Sequence, residues 1–358
     1  GNGARIDKAL HALSEANGTK LSKVFQDIRF NSDTLGEEQH KNEILRHLLE
    51  GFAKDKLSLG ASRAGSLDVI ADAYEYLIKH FAVDSDKSAG AFYTPPEVSD
   101  LLSMLLEPVE GDQICDPVCG SASLLIKCGR QIRNHFAGSK QYALFGQEAS
   151  ESTWSLAKMN LFLHGEDNHR IEWGDTLRHP KLLTQDGALM HFDVVLANPP
   201  FSLDRWGHEH AGEDSFARFH RGVPPKTKGD YAFISHMIET LRPACDGKKG
   251  GRMGVIVPHG VLFRSSSEAK IRQQLIDENL LEAVIGLPGK LLFGTSIPAA
   301  ILIFKKQKTD PKVLFIDASR EVTSSKNKNV LTPENIQKII RTYKARKTTY
   351  KYAYLATL

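Results

Sequence analysis

The chain has 358 residues, of which 41% are hydrophobic and 25% charged, and its formal net charge is only +3. This composition is typical of a soluble globular protein, and the length predicts two domains, or one large domain with an appendage. No apolar run reaches the ~20 residues needed to span a bilayer, and the first residues lack the apolar core of a signal peptide, so we predict a cytoplasmic protein without a membrane partner. The four cysteines match neither a zinc site nor a disulfide framework, so we predict no metal.

Residues 1–88 are predicted to form an N-terminal helical domain. Within them, apolar residues over 67–81 recur at helical spacing, with acidic residues early and basic residues late in the segment. The polar stretch 85–90 indicates a linker.

Residues 89–320 alternate short apolar runs with amphipathic stretches, which predicts a Rossmann-like α/β domain with a mostly parallel sheet. The predicted helices are 124–136, 152–163, 231–241 and 268–278. The last two strands have no long helix between them, which indicates an antiparallel hairpin at one sheet edge, around 286–299. The predicted strands are 113–115, 142–146, 170–173, 192–197, 252–257, 281–286 and 299–304.

Two segments fall outside this alternation. Residues 202–229 show no periodicity, and structureless loops longer than ~12–15 residues are usually functional or disordered. Residues 321–358 carry many of the late lysines and arginines and are predicted to form a basic helical tail. Such a tail is either simply solvated or a surface for nucleic acid or a partner protein, and the sequence leaves both interpretations open.

The segment from Asp116 to Leu125 follows one predicted strand and opens a helix. In an open α/β sheet, ligands bind at the carboxyl ends of strands, where small residues let the backbone approach closely. A carboxylate at this position can hold the ammonium group of a methionine moiety. The plainer alternative is a tight turn in which Asp116 caps the helix. The small residues of the turn are Gly120, Ser121, Ala122 and Ser123.

Acidic residues also follow the next two predicted strands. Glu148 can accept hydrogen bonds from both ribose hydroxyls of a nucleoside, and Asp175 can accept one from an adenine amino group. Each signal is weak alone because acidic residues often end strands. Together with Asp116 they favour S-adenosylmethionine as the cofactor. The G-x-G-x-x-G pattern of dinucleotide-binding proteins is absent.

The strongest motif is Asn198-Pro199-Pro200-Phe201, directly after the predicted strand 192–197. The two prolines rigidify the turn and remove backbone donors. The side-chain carbonyl of Asn198 and the main-chain carbonyl of Pro199 can each accept a hydrogen from an exocyclic amine, which directs the nitrogen lone pair at an electrophilic methyl group. Phe201 can stack on the base, which is worth ~1–3 kcal/mol. The sequence therefore predicts an amino methyltransferase that takes an adenine flipped out of a duplex.

Five residues before the predicted sheet complete the candidate site. We predict that Tyr93 and Thr94 line the cofactor pocket and that Pro95 starts a helix at its first turn. From the residues alone, the segment also fits an ordinary helix start with an aromatic staple. The predicted cofactor-binding segment is Ala91, Phe92, Tyr93, Thr94 and Pro95.

These segments, in this order, resemble the modification subunits of type I restriction–modification systems, which are γ-class N6-adenine DNA methyltransferases. The resemblance extends from about residue 67 to residue 335. The Asn-Pro-Pro-Phe turn is shared with other amino methyltransferases, whereas the pieces at 294–299 and 315–319 are more particular to this family.

The resemblance implies roles for these residues and for other chains. Asn198, Pro199 and Phe201 would hold the target adenine in DNA. The usual partners in this family are a specificity subunit that reads the sequence, a restriction subunit that translocates and cleaves, and a second copy of the modification subunit. The residues implied to contact S-adenosylmethionine are Tyr93, Thr94, Asp116, Ser121, Ala122, Ser123, Glu148 and Asp175.

The chain departs from the family pattern at two positions. Ala122 stands where the family often has glycine, which predicts a slightly shifted or weaker cofactor site, and His259 stands where asparagine is expected. Family members usually also have more helix before Lys8 and more chain after position 358, so the resemblance predicts further residues on both sides.

Two other functions remain open at this point. The same carbonyl turn can hold the amine of RNA or of a protein glutamine, and a non-catalytic scaffold can keep a cofactor pocket while docking a partner.

The length and composition of 202–229, with Arg205, Trp206, Arg218 and Arg221, predict that this loop touches DNA or closes over the base.

Overall fold

The computed structural model of the protein describes residues 1–26, 28–54, 67–84, 93–245, 249–293, 295–324 and 329–357. The predicted linker at 85–90 and the candidate site residues Ala91 and Phe92 lie outside the described residues. In the part of the chain that the structure describes, no helix is both long and apolar enough to cross a membrane.

The described residues before position 93 are mainly helical. They form α1 (Asn2–Ala16), α2 (Gly18–Leu21), α3 (Glu38–Phe52) and α4 (Leu67–Asp84). Helix α1 packs against α2 and α3, while α2 and α4 both contact a later helix, α7 (Glu151–Leu163). The N-terminal helices are thus attached to the α/β part of the molecule through α7.

A nine-stranded sheet forms the centre of the molecule, in the order β11-β8-β6-β7-β5-β4-β1-β2-β3. Five of its eight neighbouring pairs are parallel, which confirms a mostly parallel Rossmann-like sheet. All seven predicted strands are present within a few residues of the expected bounds. The nine strands are β1 (Gln113–Asp116), β2 (Ala143–Glu148), β3 (His169–Trp173), β4 (Val194–Ala197), β5 (Arg252–Pro258), β6 (Leu281–Gly286), β7 (Ala299–Lys305), β8 (Val313–Asp317) and β11 (Ala353–Ala356).

The predicted antiparallel hairpin exists, but it does not lie at the sheet edge. Strands β6 and β7 pair antiparallel, and β7 also pairs antiparallel with β5. Beyond β6 the sheet continues through β8, which is parallel to β6, and ends at β11. The edge was misplaced because β8 and β11 were not among the strands predicted from the sequence.

The segment predicted as a basic tail is instead packed into the fold. It contains a small hairpin of β9 (Thr323–Ser324) and β10 (Asn329–Val330), then helix α10 (Pro333–Ala345), and then β11. A capping box between Thr332 and Asn335 starts α10, and its apolar face, including Ile339, is buried in the main core. Its charged residues occupy the opposite, solvent-facing side. The sequence predicted a tail because only every third or fourth residue of α10 is apolar, so charged and polar residues dominate the segment.

Helices cover both faces of the sheet, and strand alternation divides the core accordingly. In β1, Ile114 faces the layer of α5 (Pro96–Leu106) and α6 (Ser123–His135), while Cys115 faces the layer of α8 (Asp230–Glu239) and α9 (Ser267–Asp277). All four predicted helices are confirmed to within two residues. Pro95 caps α5, and Pro96 occupies the first helical turn.

The order of the strands determines where a ligand can bind. Strand β1 has β2 on one side and β4 on the other, so the chain reverses its direction of sheet growth between β1 and β4. Such a switch point opens a crevice at the carboxyl ends of the two strands. Asp116 ends β1 and Asn198 follows β4, so the two predicted motifs meet at this crevice.

Candidate active site

The loop after β1 places a carboxylate inside the protein. The Asp116 side chain is buried, and its Oδ1 accepts a hydrogen bond of 3.0 Å from the backbone N–H of Val118. Ala122 adopts a left-handed φ of 63° immediately before α6, a conformation that glycine adopts more easily. This conformation gives a physical reason for the expected glycine at this position. The hydroxyls of Ser121 and Ser123 lie 2.8 Å apart.

The electrostatics of this loop suit a cationic ligand. Burial raises the pKa of Asp116 from 3.8 to about 8, since the N–H of Val118 offsets only part of the desolvation and Glu148 adds repulsion. Burial also raises the pKa of Glu148, although three backbone N–H groups oppose it. Among the described residues, neither carboxylate has an ion-pair partner. A buried carboxylate without a cation is costly, so this pair fits an ammonium-bearing ligand.

Glu148 is tied directly to the first loop. Its Oε2 accepts from the N–H of Gly120 at 3.0 Å, and its Oε1 accepts from Ser150 at 2.8 Å. The preceding Gly146 lets the loops approach, because a Cβ added there would lie only 3.0 Å from Cys119 Sγ. The second predicted acid is thus held beside the first, as expected for neighbouring strand ends.

Asp175 lies in the loop after β3, and its environment differs from those of Asp116 and Glu148. Its Oδ1 accepts from the backbone N–H groups of Leu177 and Arg178 at 2.9 and 3.1 Å, and its carboxylate lies 3.7 Å from the Arg178 guanidinium. The hydroxyl of Thr176 donates to the carbonyl of Pro117, which joins this loop to the first. The structure therefore shows Asp175 capping a turn, and its contact with a cofactor stays a prediction.

The side chain of Asn198 is oriented by Thr94, which was predicted to line the cofactor pocket. The Nδ2 of Asn198 donates to the hydroxyl of Thr94 at 3.1 Å, which leaves the side-chain oxygen available as an acceptor. Pro199 is buried, whereas Pro200 and Phe201 are half-buried. Phe201 packs against the core layer that contains α5 and α6, so its ring is fixed by that layer.

The first loop and the Asn198 turn line one pocket. Asp116, Ser121, Ser123 and Asn198 all face it, which is the arrangement that methyl transfer between the two motifs requires. Ala122 is fully buried beneath the loop, and Pro95, Glu148, Asp175, Pro199, Pro200 and Phe201 lie outside its immediate lining. The complete lining consists of Tyr93, Thr94, Asp116, Val118, Cys119, Gly120, Ser121, Ser123, Leu124 and Asn198.

Two buried amides that the sequence analysis did not single out hold these loops. Gln147 donates to the carbonyls of Gly174 and His179 at 3.1 and 2.9 Å and accepts from Lys181, so it fixes the third loop. Asn160, on α7, donates to the Ser121 carbonyl at 2.9 Å. Both residues lie within the stretch from about 67 to 335 that carries the family resemblance, but neither residue type alone indicates a supporting role.

A buried charge network supports the far side of the Asn198 turn. Asp230 accepts from the N–H of Ser202 at 2.9 Å and pairs with Arg264 at 2.8 Å. Arg264 also pairs with the buried Glu268 at 3.0 Å and donates to the Ser202 hydroxyl at 3.3 Å. The exit of the turn is thereby fixed immediately after Phe201.

Three of the four side chains named for the hypothesis that 202–229 touches DNA or closes over the base are occupied inside the protein, and the hypothesis for the loop as a whole stays a prediction. Trp206 is buried against Phe219, Arg218 pairs with Asp214, and Arg221 pairs with Glu239 and Glu278. Arg205 alone of the four is exposed. Ion pairs of Arg218 and Arg221 and an apolar cluster around Trp206 and Phe219 fix the conformation of this loop without a periodic apolar face.

Comparison with known proteins assigns the family. The family model described as N-6 DNA Methylase matches residues 65–358, which includes every residue of the candidate site. The chain belongs to the N-6 DNA methylase family. The resemblance noted from the sequence is confirmed.

The relatives of this chain include methylase subunits of type I restriction enzymes. It is 33% identical to a type I methylase subunit of Mycoplasma pneumoniae, over 97% of this chain and 64% of that protein. It is 36% identical to one of Methanocaldococcus jannaschii, over 94% of this chain and 57% of that protein. The chain thus spans about three fifths of the length of these curated relatives.

The fold of this chain is also found in solved structures. The methyltransferase subunit of a type I restriction–modification system from Streptococcus thermophilus superimposes with a TM-score of 0.85 and 35% identity, over 98% of this chain and 72% of that chain. A class I S-adenosylmethionine-dependent methyltransferase from Listeria monocytogenes shares the fold at a TM-score of 0.59 and 20% identity. The α/β fold class predicted from the sequence is therefore confirmed.

Proposed function

We propose that this chain transfers a methyl group from S-adenosylmethionine to the N6 amino group of adenine in DNA, as the modification subunit of a type I restriction–modification complex in the cytoplasm. The observation that supports it most is that Asn198 and Asp116 face one pocket at the switch point of the sheet. Membership of the N-6 DNA methylase family supports the same reaction.

The cofactor half of the pocket is formed by the loops after β1 and β2. Asp116 is the acceptor for the ammonium group, since it is a buried carboxylate without a cation partner among the described residues. Glu148 is the acceptor for the ribose hydroxyls, and Tyr93, Thr94, Ser121 and Ser123 complete the pocket. When bound, S-adenosylmethionine supplies an electrophilic methyl group. Asp175 is assigned to the adenine end of the cofactor.

The base half is formed by the turn after β4. Asn198 Oδ1 and the Pro199 carbonyl each accept one hydrogen of the adenine amine, which localises the nitrogen lone pair towards the methyl group. Thr94 fixes this arrangement because it accepts from Asn198 Nδ2 and so directs Oδ1 to the substrate. Phe201 stacks on the base, and Pro200 keeps the turn rigid. The adenine must leave the duplex to reach this position.

The other subunits of the proposed complex have distinct tasks. A specificity subunit provides sequence recognition, a second copy of this chain modifies the other strand, and a restriction subunit completes the assembly. Relatives named as type I methylase subunits support this assignment.

The decisive experiment measures transfer of labelled methyl from S-adenosylmethionine to duplex DNA in the presence of the cognate specificity subunit. Asn198→Ala is expected to slow transfer by about 10²–10³-fold, equivalent to ~2.7–4 kcal/mol, because one preorganised acceptor is lost. Asn17→Ala, at the exposed end of α1, serves as the control and should transfer at the wild-type rate. Labelling of RNA or a glutamine-containing peptide instead of DNA would overturn the proposed substrate, and unchanged transfer by Asn198→Ala would overturn the proposed site.

A further inference from the structure

Three side chains that could bind a metal ion converge where α4 meets α7. Asp72 and Glu75 lie three residues apart on α4, and His164 directly follows α7. One potential ligand atom from each lies within 4.8 Å of the other two. The cluster is separate from the pocket that contains Asp116 and Asn198. We propose that these three residues bind a divalent transition-metal cation that fastens α4 to the methyltransferase sheet.

The imidazole of His164 is already arranged as a metal ligand. Its Nδ1 lies 2.9 Å from the carbonyl oxygen of Asn160, and because a carbonyl only accepts, Nδ1 carries the proton. The lone pair of the neutral ring is therefore on Nε2, which is buried and without a hydrogen-bond partner among the described residues. Metal-binding histidines characteristically donate their second ring N–H to a carbonyl or carboxylate in this way.

The two carboxylates supply the charge that a cation needs. Residues three apart on a helix share one face, so Asp72 and Glu75 both reach the His164 side. Arg130 lies 4.0 Å from Asp72, the outer limit for an ion pair, and its side chain is 41% exposed. No ion pair within 4.0 Å joins His164 to either acid in the described part of the chain. A cation bound at ~2.0–2.2 Å from each ligand would draw the three groups slightly closer.

The ligand set indicates which cation binds. One imidazole nitrogen with two carboxylate oxygens suits Zn²⁺, Co²⁺ or Mn²⁺, whereas Ca²⁺ and Mg²⁺ prefer oxygen ligands alone. Three protein ligands leave at least one coordination position for water.

The elements joined by this cluster both support the cofactor pocket. On α4, Ile78 packs against Tyr93, which lines the pocket. On α7, Asn160 accepts from the His164 ring and donates to the carbonyl of Ser121 in the first loop. A cation at the cluster would therefore help to hold both helices in contact with residues that line the pocket. Its role is positioning, since none of the three ligands lies in the pocket lining.

The test is direct binding by the full chain, freed of metal with a chelator and of any affinity tag. We expect Zn²⁺ and Co²⁺ to bind with one ion per chain in titration calorimetry, and Co²⁺ to give a visible absorption band. Mg²⁺ should not compete. His164→Gln and Glu75→Gln should each weaken binding at least tenfold, whereas His11→Gln, which removes an exposed histidine beside Glu15, should bind as the wild type does.

A second measurement separates the site from general misfolding. Zn²⁺ should slow amide hydrogen exchange in α4 of the wild type, but not in His164→Gln, while the strands of the central sheet exchange equally in both. Absence of stoichiometric Zn²⁺ binding by the wild type, or equal binding by His164→Gln, would overturn the proposal. Neither readout depends on methyl transfer, so failure here leaves the proposed function untouched.

Discussion

The loops that follow β1 and β4 treat buried charge in opposite ways. After β1, Asp116 is buried without a cation partner among the described residues, and its pKa rises to about 8. After β4, the long segment 202–229 buries Arg218 and Arg221, and each is paired with carboxylates. Both loops are irregular in sequence, yet one leaves a charge for a ligand while the other uses charges to fix its own conformation.

This difference separates a binding loop from a structural one. Arg218 donates to Asp214 and to the carbonyls of Thr176 and Leu177, so its donors are used within the protein. The neighbouring His236 stays neutral because burial, with Arg218 beside it, lowers its pKa to about 3. An arginine in a long loop therefore indicates nucleic-acid contact only if its partners are not already supplied by the fold.

The largest expected loss of stability comes from removing the buried ion pair between Arg218 and Asp214 in the segment 202–229. Arg218→Ala leaves Asp214 buried without its cation and should lower the free energy of unfolding by about 3–5 kcal/mol. Denaturant unfolding measures it. Arg205→Ala is the matched control, since Arg205 is exposed and its removal should leave stability unchanged. A loss of DNA binding without a loss of stability in Arg218→Ala would contradict the structural role.

Removing the charge of Asp116, at the end of β1, is expected to stabilise the protein rather than destabilise it. In the folded protein the pKa of Asp116 is raised from 3.8 to about 8, so its burial is tolerated below pH 4 and becomes increasingly unfavourable as pH rises towards 8. Asp116→Asn should therefore match the wild type near pH 4 and be more stable at pH 8, by on the order of 2–5 kcal/mol. Unfolding curves across this pH range measure the difference.

The same substitution should abolish cofactor binding, because an amide offers no charge to the ammonium group. Titration calorimetry with S-adenosylmethionine checks this, and Asp214→Asn provides the contrast, since it should destabilise the protein by removing the partner of Arg218. If Asp116→Asn proved less stable than the wild type at pH 8, the distinction between the two loops would fail.

The smallest expected effect is on the rate of methyl transfer, and it tests whether Thr94 in the cofactor half of the pocket orients Asn198 in the base half. Thr94→Val removes the acceptor of Asn198 Nδ2 and should lower kcat for methyl transfer about tenfold, in line with ~1–1.5 kcal/mol for one hydrogen bond. Thr94→Ser keeps the hydroxyl and should restore most of the rate. Equal rates for the valine and serine variants would show that Thr94 does not orient Asn198.

The amino-acid sequence by itself determined the strands, the helices between them and the order of the motifs. Short apolar runs located seven strands of the sheet, and the positions of Asp116 and Asn198 at strand ends followed directly. Local residue types also identified the Asn-Pro-Pro-Phe turn, since its prolines and asparagine act through their own backbone and side chain.

Only the tertiary structure decided which distant groups meet. The contact between Asn198 and Thr94 joins residues 104 positions apart, and the ion pair between Arg221 and Glu278 joins residues 57 apart. The short strands β8 and β11 likewise became part of the sheet through pairing rather than through their own pattern. Which residues are buried and which groups pair depends on the packing of the whole chain. The sequence determines this packing, but no local pattern in it reveals which distant residues meet.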